Sequence, residues 1–464
     1  MAHLVERMEP MTVARGVARG MALGGDAVFR LDDGRVAFAP LGAPEDVADV
    51  EILGAARGVL RGRLAGVVEP GPGRVPPPCP FFLAGCGGCQ WQQLAYATQL
   101  EQKQHLLRET LRRLGKLQDV PLSEPAPAPA VWAYRDAVQL HVDAGGAIGF
   151  TMAHSHQVVP VDRCLIAHPL LNDLITALNA PLARAILRDR VAAIRSIAAR
   201  VATAAGQARL QLVIGADGGR PRSARRLVDE LQRAVPAVAS AWLAFGGEGT
   251  DADALRRGAP VLLAGEATLP LDVGRWRFFM GPRAFFQVNS AQARRLVDIV
   301  RDIIQRERPQ TLLDLFCGVG LFSVSAADLV PDILAVEAQQ DTVDLARQAW
   351  DHHLREHEDE AVQNGRVRFV AAEAEAVPFD ILRSADLVMM DPPRSGLPGR
   401  LIDRLVAAEP PLLLYISCEP STLARDLRRL TGAGWQLSSV QLVDLFPQTY
   451  HIESVSVLRR LARR

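Results

Sequence analysis

Residues 412–427 read Leu-Leu-Leu-Tyr-Ile-Ser-Cys-Glu-Pro-Ser-Thr-Leu-Ala-Arg-Asp-Leu. An apolar run ends at Ser417-Cys418, Pro420 follows, and Leu423 and Leu427 then recur at helical spacing. The stretch predicts a buried strand, a tight turn and the start of a helix, with Cys418 in the turn. A thiol at a helix N-terminus meets unpaired N–H groups and the positive end of a dipole, which lowers its pKa. A lone cysteine is more often a small buried hydrophobe, so its neighbours must decide.

Outward from this stretch, strands and helices alternate from residue 277 to 464, as in a doubly wound parallel sheet. Thr311–Phe316 reads as a buried strand, Cys317-Gly318-Val319-Gly320 as a tight turn and Leu321–Leu329 as a helix. The next strand, Ile333–Val336, ends at Glu337, where an acid can hold the ribose hydroxyls of a nucleoside. Two glycines match a pyrophosphate-binding turn poorly, and S-adenosylmethionine fits better. Strand Val367–Ala371 ends near Glu373, and Asp386–Met390 ends at Asp391-Pro392-Pro393-Arg394. Ligands bind at the carboxyl ends of such strands, so Asp391 belongs to the expected site. A last pair, Val440–Phe446 and Ser454–Leu458, is expected to run antiparallel, with Glu453 facing the cleft of Cys418.

Upstream, residues 1–68 hold short alternating runs, with Asp33-Gly34 as a hairpin signal, and predict a small OB-like β-barrel. Phe29 and Phe38 are its candidates for stacking on bases. Residues 69–276 predict an α+β domain. It opens with Cys79, Cys86 and Cys89, and a fourth thiol, Cys164, follows. Four thiolates fit structural zinc or an iron–sulfur cluster, and the spacing leaves both open. Residues 92–120 suggest an amphipathic helix with Leu100, Leu107, Leu111 and Leu114 on one face. Pro121 to Pro129 reads as an extended, structureless linker. His141, His154 and His156 read as surface or satisfied histidines. The 52 basic residues balance 52 acidic ones, so no global nucleic-acid signal exists. No run of ~18 apolar residues appears, and a soluble cytoplasmic protein is expected.

The stretches FFQVN (Phe285–Asn289), DLFCGVGLFS (Asp314–Ser323), Val336-Glu337, DPPRSGL (Asp391–Leu397), SCEPSTLARDL (Ser417–Leu427) and DLFPQTYHIE (Asp444–Glu453) together resemble the RNA uracil-C5 methyltransferases. The resemblance implies methyl transfer from S-adenosylmethionine to a uridine. Cys418 would be the nucleophile and Glu453 the general base. Gln287, Phe316, Glu337, Glu373 and Asp391 would line the cofactor site. The first module looks like a TRAM domain. The cysteine segment looks like the [4Fe-4S] site of the 23S rRNA branch, with Cys79, Cys86, Cys89 and Cys164 as ligands. The same resemblance implies that part of residues 92–120 docks on the catalytic domain, with RNA and no membrane as partner and a monomer as the working form. A tRNA loop is the alternative substrate, and a silent RNA-binding assembly factor the alternative function. This chain departs from the family at Glu419, where Asn is usual, and at Leu321, often polar. A carboxylate at position 419 would raise the thiol's pKa unless it points away.

Overall fold

The computed structural model describes residues 12–56, 59–153, 155–189, 194–217, 221–245, 259–356 and 366–461. By packing, the chain divides into two compact units. One holds the described residues up to Glu109 together with Phe446–His451, and the other holds the remainder.

The first unit is built on a closed barrel of β1 (Val13–Met21), β2 (Ala27–Leu31), β3 (Val36–Ala39), β4 (Val47–Ala56) and β5 (Val59–Glu69), in the order β1-β2-β3-β5-β4. Closure removes the exposed edges that a five-stranded sheet would otherwise present. The fifth strand went unread in the sequence, where Arg61, Arg63 and three glycines between Gly62 and Gly71 obscure its alternation. Phe29, expected to be free for stacking, is fully buried in the barrel core. Phe38 is half-buried, with the Arg61 guanidinium 5.6 Å over its ring. The helix Tyr96–Arg113 is shorter than the expected 92–120. Leu107 and Leu111 are buried, but Leu114 lies beyond the helix and is 52% exposed. Within this unit, Gln99 accepts a hydrogen bond from the Gln448 amide at 2.8 Å, and the buried Lys103 donates to the Phe446 carbonyl at 2.9 Å.

The second unit contains two seven-stranded sheets and a hairpin. One sheet runs β12-β11-β10-β9-β6-β7-β8. Its strands are β6 (Ala137–Val142), β7 (Ile148–Thr151), β8 (Val158–Pro160), β9 (Ile194–Ala204), β10 (Gln207–Ala216), β11 (Val238–Phe245) and β12 (Val261–Gly265). Two short helices, Pro169–Leu178 and Pro181–Arg188, follow β8. Pro181 cannot continue the first helix but suits the first turn of the next. The hairpin pairs β13 (Leu269–Val273) with β14 (Trp276–Met280).

The other sheet runs β17-β16-β15-β18-β19-β21-β20. Its strands are β15 (Thr311–Leu315), β16 (Asp332–Glu337), β17 (Arg366–Ala371), β18 (Leu387–Met390), β19 (Leu412–Ser417), β20 (Trp435–Val443) and β21 (Glu453–Arg460). The first five in this order are parallel, and β21 inserts antiparallel between β19 and β20. Every residue of β18 and β19 is buried, as the unbroken apolar runs require for strands covered on both faces. The helix Pro420–Gly432 packs with Leu423, Leu427 and Leu430 fully buried. Each such leucine contributes roughly 1.5–3 kcal/mol relative to exposure.

The expected free linker after Pro121 is a correction. Its segment is extended but bonded along β20: Ser123 N donates to Val440 O at 2.8 Å and Ala126 N to Leu442 O at 2.7 Å. It covers the unpaired edge of β20 and satisfies main-chain groups there.

Candidate active site

The order of the strands assembles the site. Leaving β15, the chain crosses first to one side (β16, β17) and then to the other (β18, β19), and sheets of this kind bind ligands at the carboxyl ends where the direction reverses. The register places Phe316, Glu337, Asp391 and Cys418 at that edge, each at or just past the end of its strand. Because β21 runs antiparallel, its first residue lies there too. Ser417 pairs with Ser454, so Cys418 and Glu453 each lie one position beyond that last pair.

On the cofactor side, Phe316 adopts φ +64°, a left-handed conformation that costs a non-glycine residue about 1 kcal/mol or more. It turns the chain into Cys317–Gly320, where Cys317 N donates to Val336 O at 3.1 Å and Gly320 N to Cys317 O at 2.9 Å. Gly320 has φ +82°, and a Cβ there would stand 3.1 Å from the Phe369 ring, so the turn admits no side chain. The Glu337 carboxylate accepts from Gly318 N at 3.2 Å and Gln339 N at 3.1 Å, which fixes it beside the turn. A glycine turn with a half-buried carboxylate at the next strand end fits a nucleoside with its ribose on Glu337. Gln287 is buried just ahead of Asn289, which caps the helix Ser290–Glu307 by accepting from Gln292 N. Glu373 is exposed at the start of a short turn beyond β17.

On the chemical side, Glu453 is 2% exposed. Burial pushes its carboxyl well above the ordinary range, Asp391 adds to this, and the Arg394 guanidinium opposes it. Burial likewise pushes Asp391 up to about 7. The Cys418 thiol is not lowered as the helix N-terminus suggested. Burial, then Glu453 and Asp391, push it up to about 12, against the pull of Arg394. Two nearby carboxylates and lost hydration outweigh a helix-end dipole worth about 1 kcal/mol.

Glu419 does not join those charges. Its Oε1 accepts from Ser421 N at 3.2 Å and caps the helix that follows Cys418. Two residues inside the quoted motifs were not singled out from sequence. Arg394 is the one cation acting on both Cys418 and Glu453 among the causes that move them. Asp314, 1% exposed, is pushed up to about 7 chiefly by burial and accepts from the Ser323 hydroxyl. An acid inside the apolar run Leu312–Phe316 was the signal for Asp314. For Arg394 the signal was a cation directly after the Asp391 loop's prolines.

The four thiols expected as cluster ligands differ in burial. Cys79 is buried, and Cys86, Cys89 and Cys164 are half-buried. Among the described residues, no group of three or more His, Cys, Asp or Glu is placed to hold a metal ion. No step below runs through a cluster. Burial, and to a lesser extent His156, hold the His141 imidazole below its usual range. His154 lies outside the described residues.

A family model described as tRNA (Uracil-5-)-methyltransferase matches residues 266–461. An uncharacterized RNA methyltransferase of Gloeobacter violaceus is 31% identical over 458 residues, 95% of each chain. Another, of Thermosynechococcus vestitus, is 32% identical over 444 residues, 94% of this chain and 95% of its own. Among solved structures, the Pyrococcus abyssi tRNA (uracil-54, C5)-methyltransferase in complex with S-adenosyl-L-homocysteine superimposes with a TM-score of 0.73. It covers 96% of this chain and 99% of its own at 23% identity, a likeness of fold. With the glycine turn, Glu337, Cys418 and Glu453 gathered at one strand edge, these matches place the chain in the S-adenosylmethionine-dependent RNA uracil-C5 methyltransferase family.

Proposed function

We propose that the protein methylates C5 of a uridine in 23S rRNA through a covalent adduct at Cys418. The observation that carries the mechanism is the approach of Glu453 to Cys418, each one position beyond the Ser417–Ser454 pair, with the carboxyl acting on the thiol. Uracil C5 is too weak a nucleophile to take a methyl group unaided. Addition of the Cys418 thiolate to C6 forms a C–S bond and places electron density on C5. S-adenosylmethionine supplies a methyl group on a sulfonium, which leaves as the neutral thioether when C5 takes the methyl. Glu337 and the Phe316–Gly320 turn would orient the donor, so that approach and alignment lower the barrier. Gln287, Asp391 and Glu373 would complete its walls. Glu453 then takes the C5 proton as the C6–S bond breaks, which returns 5-methyluridine and the thiolate. A buried carboxylate with a raised pKa is a stronger base for this transfer. The uracil must leave its stack to reach Cys418, which a loop with splayed bases makes easier.

The N-terminal barrel and the CPFFLAGCGGC and VDRC segments support rRNA as substrate. The family model's description and the P. abyssi enzyme's name favour a second reading, a tRNA loop. For the [4Fe-4S] cluster on Cys79, Cys86, Cys89 and Cys164, the support is the motif alone. We read the enzyme as a cytoplasmic monomer.

The test is transfer of labelled methyl to unmodified 23S rRNA and unmodified tRNA, with the labelled position mapped, beside a Cys418→Ala control. Label at uridine C5 in rRNA, absent with Cys418→Ala, is expected. Label in tRNA alone moves the substrate and keeps the mechanism. Undiminished transfer by Cys418→Ala refutes the nucleophile.

A further inference from the structure

Asp426 is fully buried on the helix that follows Cys418, and the reaction above gives it no task. Its Oδ2 accepts from the Tyr415 hydroxyl at 2.9 Å and from Leu397 N at 2.8 Å, and its Oδ1 from Arg425 Nε at 2.8 Å. Tyr415 is a fully buried residue of β19, three positions before the thiol. Arg425 reaches on, donating to Ser395 O at 2.9 Å and Leu397 O at 3.3 Å. From one turn earlier on the same helix, the Thr422 hydroxyl donates to Arg394 O at 3.0 Å. The turn so gripped passes through Gly396, with φ +74°, where a Cβ would lie 2.6 Å from Asp426 Oδ2 and 2.7 Å from Arg425 Nη2. One helix thus fastens the main chain from Arg394 to Leu397. The part fastened carries the cation that opposes Asp391 and Glu453 at the thiol.

We propose that Asp426, acting with Tyr415 and Arg425, is a positioning residue that holds the 394–397 turn so that the Arg394 guanidinium favours the Cys418 thiolate. A buried carboxylate with three donors is held in one geometry, and removal of a donor leaves it short of hydrogen bonds. Three charged groups face the thiol from the elements packed around it. Glu453 starts β21, and Asp391 and Arg394 belong to the loop after β18. The two carboxylates oppose ionisation, and of the three charged groups Arg394 alone favours it. Displacing the turn therefore costs thiolate without touching a reacting atom.

The inference rests on Cys418 as nucleophile, so its test uses thiol reactivity in the full chain without RNA or donor. The alkylation rate of Cys418 by iodoacetamide is followed by peptide-resolved mass spectrometry against pH. At fixed pH the rate follows the thiolate fraction. Arg394→Gln sets the scale, with an expected fall of roughly tenfold, one unit of pKa. Asp426→Asn is expected to fall by a similar factor, and the isosteric Tyr415→Phe by roughly threefold, both by a displacement of the pH profile. In an Arg394→Gln background, Asp426→Asn is expected to add almost nothing, because both act through one guanidinium. Donor binding by each variant reports an intact fold. Should Asp426→Asn prove unstable, Tyr415→Phe carries the comparison. Variants that bind donor yet titrate like the parent overturn the proposal, as does a fall that multiplies fully with that of Arg394→Gln. Loss of methyl transfer with unchanged thiol titration also overturns it and leaves the assignment of Cys418 standing.

Discussion

Replacement of Glu453 by Gln should separate two jobs held by one side chain, its charge on the thiol and its capture of the C5 proton. Opposed positions on antiparallel strands lie about 5 Å apart. At an effective dielectric of about 20, two unit charges at that distance repel by about 3 kcal/mol, a pKa difference of about two. The half-buried thiol still meets solvent, which reduces this to about one. With the thiol near 12, about one molecule in 10⁴ is thiolate at pH 8. Glu453→Gln should raise that fraction roughly tenfold, but only where the native carboxyl is ionised. Parent and variant should therefore alkylate alike at low pH and diverge as pH rises through the raised titration of Glu453. Incubated with donor and RNA, the same variant should accumulate a methylated protein–RNA adduct, seen as a retarded band on a denaturing gel. Parallel alkylation profiles from about pH 6 to about pH 10 would refute the charge coupling. Release of methylated RNA at the parent rate would refute Glu453 as the base.

Asp314→Asn tests the cost of the buried acid in the cofactor strand. Its native pKa of about 7 lies above the ordinary 3.8, so the native state binds the proton more tightly than the unfolded chain. Its contribution to stability is full below about pH 4 and is lost as pH rises through about 7, a change of about 4 kcal/mol at most. The variant should flatten the fall in Tm between those values, leaving the part due to Asp391, and an unchanged slope would reject the assignment. Iron and acid-labile sulfide analysis of protein purified without oxygen decides the cysteine motif, with roughly four of each per chain expected for a [4Fe-4S] centre. Stoichiometric zinc, or no metal, would end that reading.

The catalytic sheet was legible because its strands are covered on both faces and punctuated sharply. Leu412–Ile416 is unbroken apolar sequence, and Pro420 marks the helix start. Cys418, Glu337 and Asp391 were found because a strand's carboxyl end is readable from its last apolar residue. The charge state of Cys418 was not legible, since a helix terminus is local in sequence while Glu453 lies 35 positions away. The tie between Asp426 and the 394–397 turn is likewise made by folding, across 29 positions. The Pro121–Pro129 segment misled because proline suggests a free linker, whereas Ser123 and Ala126 supply the donors that meet β20. The fifth barrel strand and β9 are hard to read from sequence because arginine interrupts both runs.

The reversed last strand also imposes an order on synthesis. A ribosome that has made the chain through Gly432 has delivered the glycine turn, Glu337, Asp391 and Cys418, but neither β20 nor β21. Until β21 arrives, β19 is an open edge with an all-apolar strand behind it. The strand that seals this edge brings Glu453 as its first residue. Closing the sheet and delivering the proposed proton acceptor are therefore one event, and a chain stopped short of it holds Cys418 beside an unfinished sheet.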